Sequence, residues 1–309
     1  MSCQKKLLQQ WKTSSCRQRC LDVRSSLEFQ TCHIQSSTNI PFDQLKKRMA
    51  ELPPKNVPFA LLAAAATEDK QSIDKTPFDG GAQWLRSQGW HPRYVFQPGE
   101  DPCFWPKAAQ VVGCSTNTTK PSILFRPHAL LQDSMGLITT ALPGRRTILD
   151  IGCGSGRDLT WLLLQQPTWH GTGVDHLAGA QERFGSMTAS LGDRARFVSA
   201  KVMADGTWKS TERLLTDGGQ LYDMVMTIRF FVRPFLPILP TLVKSGGLVV
   251  ISHFVDIGDY QHPKKERRLR QGELNRFAEQ MGLSVLVDRL EWIEDGIRPV
   301  QSVILQKVV

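Results

Sequence analysis

Along this chain the apolar positions fall into short runs separated by segments of helical period. In the second half, Thr147–Ile151, His170–Asp175, residues 196–200, Tyr222–Ile228 and residues 248–254 are strand-length, and Thr147–Ile151 and Tyr222–Ile228 are mostly apolar and partly β-branched. Residues 157–164 and 178–191 carry apolar positions at helical spacing, and Gln271-Gly272-Glu273-Leu274 opens a further helix. Two alternating runs then flank Asp295-Gly296, a strong hairpin signal. The first half repeats the alternation on a smaller scale. It shows short strands at 20–24, 57–62 and 94–96, and a helix over 83–88 that stops at Gly89. Ser25 and Ser26 are placed to cap a helical turn carrying Glu28 and Phe29, and residues 1–15 show a weak helical pattern in Leu7, Leu8 and Trp11. Strands alternating with helices predict α/β architecture with parallel sheets. Residues 113–122 read as a linker by composition, and a helix-like run that follows Leu131 and reaches Ala141 is broken at Pro143-Gly144.

The stretch 147–158, T-I-L-D-I-G-C-G-S-G-R-D, concentrates the chemistry. A buried strand ends near Asp150, Gly152, Gly154 and Gly156 follow at alternate positions, and a helix begins at Arg157. Such a loop lets backbone approach a ligand closely, and its amides at a helix start suit a carboxylate or phosphate. The spacing is G-x-G-x-G, not the G-x-G-x-x-G of a dinucleotide site. About twenty residues on, the second strand ends in Asp175, an acid placed to bind both hydroxyls of a ribose. With Asp150 before the loop, this pattern resembles the class I S-adenosylmethionine-dependent methyltransferases.

The resemblance implies site residues. Asp150, Gly152, Cys153, Gly154 and Gly156 would surround the methionine part of S-adenosyl-L-methionine, and Thr227 and His176 would also bind the cofactor. Asp175 would face the ribose and Asp205 the adenine end; a turn aspartate is the competing reading of Asp205. Arg229-Phe230-Phe231-Val232-Arg233-Pro234 follows the fourth strand, where open α/β sheets place their ligands. Together with Ser245-Gly246-Gly247, the strand ending in Phe254 and the basic run 264–270, it is similar to the tellurite-resistance (TehB-like) methyltransferase group. Arg126, Arg229 and Arg233 are then candidates to orient an anionic or soft acceptor, and His253 is the candidate base. His128 shares with Arg126 the segment that covers the acceptor in such enzymes. A surface arginine and packed histidines are the plainer alternatives.

The first half resembles a rhodanese-like (sulfurtransferase) domain through Asp22, Arg24 and Glu28, then His33-Ile34, Asn39-Ile40-Pro41, residues 83–90 and 94–96, Gly99 and Trp105. In that family an active cysteine follows the strand read here at 57–62. This chain has Ala63-Ala64-Ala65-Ala66-Thr67-Glu68-Asp69 there, with no cysteine between Cys32 and Cys103. Alanine offers no nucleophile and two carboxylates oppose a thiolate, so the domain is expected to be inactive, a structural or docking module. A relocated thiol at Cys103 or Cys114 is the alternative.

The expected fold class is therefore α/β with two domains. A small rhodanese-like α/β domain covers 15–115 after an extension at 1–14. Past a linker at 116–122, a Rossmann-like class I methyltransferase domain covers 123–309, with a mostly parallel seven-stranded sheet and a C-terminal antiparallel hairpin.

Composition narrows the rest. The 309 residues carry a net charge of +9, split as +5 over residues 1–119 and +4 over 120–309, so no concentrated nucleic-acid footprint emerges. The dense basic run, Lys264 to Arg270 with Glu266 inside it, reads as a solvated loop or as a site for an anionic acceptor or RNA backbone. No apolar run reaches membrane-span length. Seven cysteines form no disulfide framework, and Cys16, Cys20 and Cys32-His33 lack a second compact ligand pair, so no metal is expected. The reducing cytoplasm is the expected compartment, although five Lys/Arg without an acid in the first twenty residues also suit a short organelle-targeting segment. The expected activity is methyl transfer from S-adenosyl-L-methionine to a small thiol, chalcogen oxyanion or similar nucleophile. The competing readings are an RNA or protein methyltransferase, a non-catalytic cofactor-sensing scaffold, and active sulfur transfer.

Overall fold

The structure, a computed structural model, describes residues 3–63, 81–116, 122–210, 219–293 and 295–308. The chain divides into two compact units, Met1–Arg126 and Pro127–Val309. No helix among the described residues is long and apolar enough to cross a membrane.

In the first unit, β1 (Cys20–Asp22), β3 (Ser37–Asn39), β4 (Ala60–Leu62) and β5 (Tyr94–Phe96) form a parallel sheet in the order β3-β1-β4-β5. β2 (His33–Ile34) and β6 (Cys114–Ser115) make a separate antiparallel ribbon. The strand alternation sorts side chains onto two buried faces. Cys20, Ala60, Leu62 and Phe96 join Leu8, Trp11, Cys16 and Phe104 on one face; Leu21 and Leu61 join Ile40, Phe59, Leu85 and Trp90 on the other. Cys16 and Cys20 are thus core residues, and α1 (Cys3–Lys12), read from sequence as an extension, contributes Leu8 and Trp11 to the same core. The strand expected over 57–62 is only β4, because Pro58 has no N–H to donate and Val57 N turns back to Pro54 O. Ser25 caps α2 (Ser26–Thr31) in a full capping box with Glu28. Asp22 and Arg24, buried at the end of β1, form a 2.6 Å ion pair, and Arg24 lies over the Trp105 ring. Ala63 N bonds Phe96 O; the Ala64–Asp69 stretch lies outside the described residues. So do residues 117–121 of the expected linker.

The second unit holds an eight-stranded sheet. Its strands are β7 (Thr147–Ile151), β8 (His170–Asp175), β9 (Ala195–Val202), β10 (Trp208–Ser210), β11 (Tyr222–Ile228), β12 (Val243–Phe254), β13 (Leu283–Trp292) and β14 (Pro299–Lys307). The order is β10-β9-β8-β7-β11-β12-β14-β13. β9 to β12 run parallel through β8, β7 and β11, and β14 pairs antiparallel with both β12 and β13. This is the Rossmann-like α/β sheet with a terminal antiparallel hairpin. It carries one strand more than the seven expected, because polar β10 adds itself antiparallel to the edge of β9 after the Asp205-Gly206 turn. Along β11 and β12, Val225, Val249 and Ile251 face one core while Met224, Met226, Leu248 and Val250 face the other. The sheet is covered on both faces, as its near-continuous apolar runs require. Strand order reverses between β8-β7 and β11-β12, which puts a crevice at their carboxyl ends.

Candidate functional site

At that crevice β7 delivers Asp150, buried at its carboxyl end, into a loop where Gly152, Gly154 and Gly156 all have positive φ. The three glycines do different work. A Cβ on Gly152 would stand 2.4 Å from Phe230, and one on Gly156 would stand 2.6 Å from Phe184, so both faces are filled by rings. A Cβ on Gly154 would meet nothing within 4 Å. Gly154 is thus the open point of the loop.

Asp175, buried at the end of β8, organises the second wall. Its Oδ1 accepts from His176 N (2.7 Å) and Leu177 N (2.8 Å), and its Oδ2 accepts from Gly154 N (2.8 Å). The His176 side chain is exposed. Asp158, in the first turn of α7 (Arg157–Gln165), accepts from His128 N at 2.7 Å. Burial pushes the Asp150 carboxyl well above the usual carboxylate range, and Asp158 and Asp175 push it further. Burial also raises Asp158, against the lowering effects of the His128 amide, Arg157 and Arg229. The Cys153 thiol is raised by burial and by Asp150 and Asp175, so it stays protonated. Converging carboxylates held out of water favour a cationic neighbour.

β11 and β12 supply the opposite wall. Thr227 Oγ1 donates to Phe230 O at 2.6 Å, closing the turn that lays Phe230 across Gly152. Arg229 stands in that turn at φ +60°, a left-handed conformation that non-glycine residues adopt at energetic cost and that often marks functional sites. Its guanidinium lies 4.9 Å from the Phe254 ring centroid, and its charge reaches Asp158, His128 and His253. Arg233 is differently employed. It forms a 2.5 Å ion pair with Glu273 and donates to the carbonyls of Glu266 and Arg268, so its donors hold the fold.

His253 donates from Nε2 to Arg267 O (2.9 Å), stacks on Phe231, and leaves Nδ1 buried without a hydrogen-bond partner among the described residues. Its pKa is driven down to about 4, chiefly by burial and also by Arg229 and Arg233, against the Arg267 carbonyl. It is a neutral, weak base at pH 7. His128 is pushed to about 4 as well, by burial and by Arg229, Arg289 and Arg157. Its Nδ1 accepts from Leu130 N, which leaves the proton on Nε2 facing Ser252 Oγ (3.0 Å). Ser252 continues to Ser302 (2.9 Å) and Ser302 donates to Glu291 (2.8 Å). The chain of hydroxyls ties the segment before β7 to β12, β14 and β13.

The structure thus gathers Asp150, Gly152, Cys153, Gly154, Gly156, Asp175 and Thr227 around one crevice, with Arg229 and His253 on its far wall. Asp205 sits on the exposed β9–β10 turn, its Oδ1 accepting from Thr207 N and Oγ1 while Gly206 packs against Pro234; this is the turn-aspartate arrangement. Arg126 is an exposed residue of the first unit. The sequence reading did not single out Asp158, Phe230, Ser252, Ser302 or Glu291. Asp158 carried a signal, an acid in the first helical turn after the loop; the others are joined only through the sheet. In the first unit, burial and the adjacent Cys32 push the Cys114 thiol up to about 12, and Cys103 is exposed at the start of α4 (Phe104–Val111).

Comparison with known proteins gives three results. Residues 4–74 match the rhodanese-like domain family model. The uncharacterized protein UNK4.09 of Schizosaccharomyces pombe is 29% identical over 94% of both chains. Among solved structures, a Burkholderia thailandensis 1,6-didemethyltoxoflavin-N1-methyltransferase with bound S-adenosylhomocysteine is 18% identical at TM-score 0.44, covering 59% of this chain and 79% of that one. An O-methyltransferase family protein from the same organism is 19% identical at TM-score 0.40, covering 58% and 57%. The [4+2]-cyclase SpnF is 14% identical at TM-score 0.44, covering 57% and 80%.

Proposed function

We propose that the Pro127–Val309 unit is an S-adenosyl-L-methionine-dependent methyltransferase acting on a small anionic or soft nucleophile. One observation carries the reading. Gly154, the open point of the loop, is bonded through its amide to the strand-end acid Asp175 and lies beside the raised carboxyl of Asp150. A ligand with a cationic amino-acid part and a ribose matches that donor set. Its ammonium and sulfonium would relieve the crowding of Asp150, Asp158 and Asp175, and its hydroxyls suit Asp175.

The cofactor, when bound, supplies an activated methyl group on a good leaving group. The chain's own residues hold the parts in line and exclude water. Arg229, fixed by its turn and by the Phe254 ring, would hold the acceptor's negative charge at the crevice wall. Neutral His253 is too weak a base to ionise an acceptor by itself, and its buried Nδ1 is closed to one. An acceptor already ionised at pH 7, such as an acidic thiol or an oxyanion, fits this wall best. We assign the first unit a structural or docking role, and the protein to a reducing compartment such as the cytoplasm, in keeping with its free cysteines.

Calorimetric titration of S-adenosylmethionine and S-adenosylhomocysteine into the full chain tests the reading. Saturable binding that weakens at least about tenfold in Asp175→Ala, through loss of charge-assisted hydrogen bonds, is expected. No binding by the folded protein refutes it.

A further inference from the structure

The basic run 264–270 could have been a solvated loop. Instead its backbone is fastened to the carboxyl end of β12. Leu269 N donates to Phe254 O, Asp256 N donates to Leu269 O (both 2.8 Å), and Val255 and Leu269 form a parallel bridge. His253 donates to Arg267 O, and Arg233 reaches the carbonyls of Glu266 (3.1 Å) and Arg268 (2.6 Å). Arg268 is buried, donating to Tyr260 O, Pro263 O and Asp256 while lying over the Tyr260 ring. The strand-end residues His253 and Phe254 and the turn residue Arg233 are therefore the anchors of this segment.

The anchoring uses Arg268 and the peptide groups. Lys265, although 78% exposed, lies 3.4 Å from Asp256. Lys264, Arg267 and Arg270 keep exposed side chains at three-residue intervals, against the single exposed acid Glu266 within the run. One guanidinium suffices for a carboxylate; several cations on a rigid stretch suit a multiply charged group. Phe254 and Tyr260, the rings packed against this segment, offer no stacking platform. Phe254 is covered by Arg229 (4.9 Å) and Arg298 (5.2 Å), and Tyr260 by Arg268 (3.6 Å). Reading of bases by stacking is thereby disfavoured, and phosphate recognition is left.

We propose that residues 264–270 are a preorganised rim that receives a phosphate-type group on the methyl acceptor, so that the substrate is a small phosphorylated molecule. This rests on the methyltransferase reading for the word acceptor, but the anion site stands or falls on its own measurement. The full chain is titrated with inorganic tripolyphosphate, and separately with S-adenosylhomocysteine. The variants are Lys264→Gln/Arg267→Gln/Arg270→Gln and, as a charge-matched control, Lys6→Gln/Lys12→Gln/Lys46→Gln, all at exposed positions. Binding of tripolyphosphate should weaken about tenfold or more in the rim variant and remain in the control, with a shallower salt dependence in the rim variant. S-adenosylhomocysteine affinity should be the same in all three proteins. Equal tripolyphosphate binding by the rim variant and wild type, or none by wild type, overturns the rim. A single-stranded RNA that binds wild type more than about a hundredfold tighter than tripolyphosphate, with a salt slope of several charges, overturns the small-molecule assignment. Loss of S-adenosylhomocysteine binding alone would strike the methyltransferase reading and leave the rim intact.

Discussion

Gly154→Ala separates ligand approach from fold stability. Gly154 has φ +57° with open space where a Cβ would stand. Alanine there should keep the amide that bonds Asp175, because the substitution changes only the side chain. Its stability cost is the left-handed backbone term alone, about 1–2 kcal/mol. Gly144, at φ +80° and equally open, is the matched control, placed before β7 and away from the loop's open point. Both variants should therefore lose about the same stability in urea unfolding. They should differ in cofactor binding. A methyl group on Gly154 enters the space a ligand needs, and such overpacking costs about 1–3 kcal/mol, or about tenfold to a hundredfold in Kd. Gly144→Ala should bind as wild type. The assay is calorimetric titration with S-adenosylhomocysteine under conditions where both variants are folded. Binding by Gly154→Ala within about twofold of wild type would refute the placement of the ligand against the loop. An equal loss in Gly144→Ala would show that backbone strain, and not ligand contact, weakens binding.

Gly173→Ala, on β8, should lose stability through overpacking and not through backbone strain, because its Cβ would stand 2.4 Å from Phe184 and 2.9 Å from Cys153 Sγ. A stability loss of about 1–3 kcal/mol in urea unfolding is expected, and a loss near zero would show that Phe184 repacks freely. The two neutral histidines predict acid sensitivity. Each has its pKa lowered on folding from 6.5 to about 4, so the unfolded chain binds more protons between those values. Stability is then fully present above about pH 6.5 and is lost as pH falls towards 4, by up to about 3 kcal/mol for each group. Unfolding of wild type and His128→Asn from pH 7 to 4.5 checks this; an unchanged slope in the variant would show that His128 does not titrate as described.

The loop and its acids were legible because they are local. Thr147–Ile151 announces a strand by its apolar, β-branched residues, glycines announce a turn with positive φ, and the next strand ends in an acid about twenty residues on. The same local logic gave the Ser25–Glu28 cap, which is complete within four residues. β10 was not legible, because Trp208-Lys209-Ser210 has no strand pattern of its own and pairs only because β9 offers an edge. Arg233 looked like a substrate residue because it follows a strand end. Its carboxylate partner lies 40 residues away, and nothing in the local sequence links them.

The sequence by itself determined the alternation of strands and helices, the order of the glycine loop and the two strand-end acids, and the absence of a cysteine directly after β4 of the first unit. Those properties depend on residue type and near-neighbour spacing. Tertiary structure decided the surroundings of each candidate. It opened Gly154 and filled Gly152 and Gly156 with rings from Phe230 and Phe184, placed Asp205 on an exposed turn, and engaged Arg233 with Glu273. It made His128 and His253 neutral by burying them, and anchored a basic run to the end of β12. Burial, charge proximity and hydrogen-bond partners depend on distances between residues far apart in the chain, and only folding sets those distances.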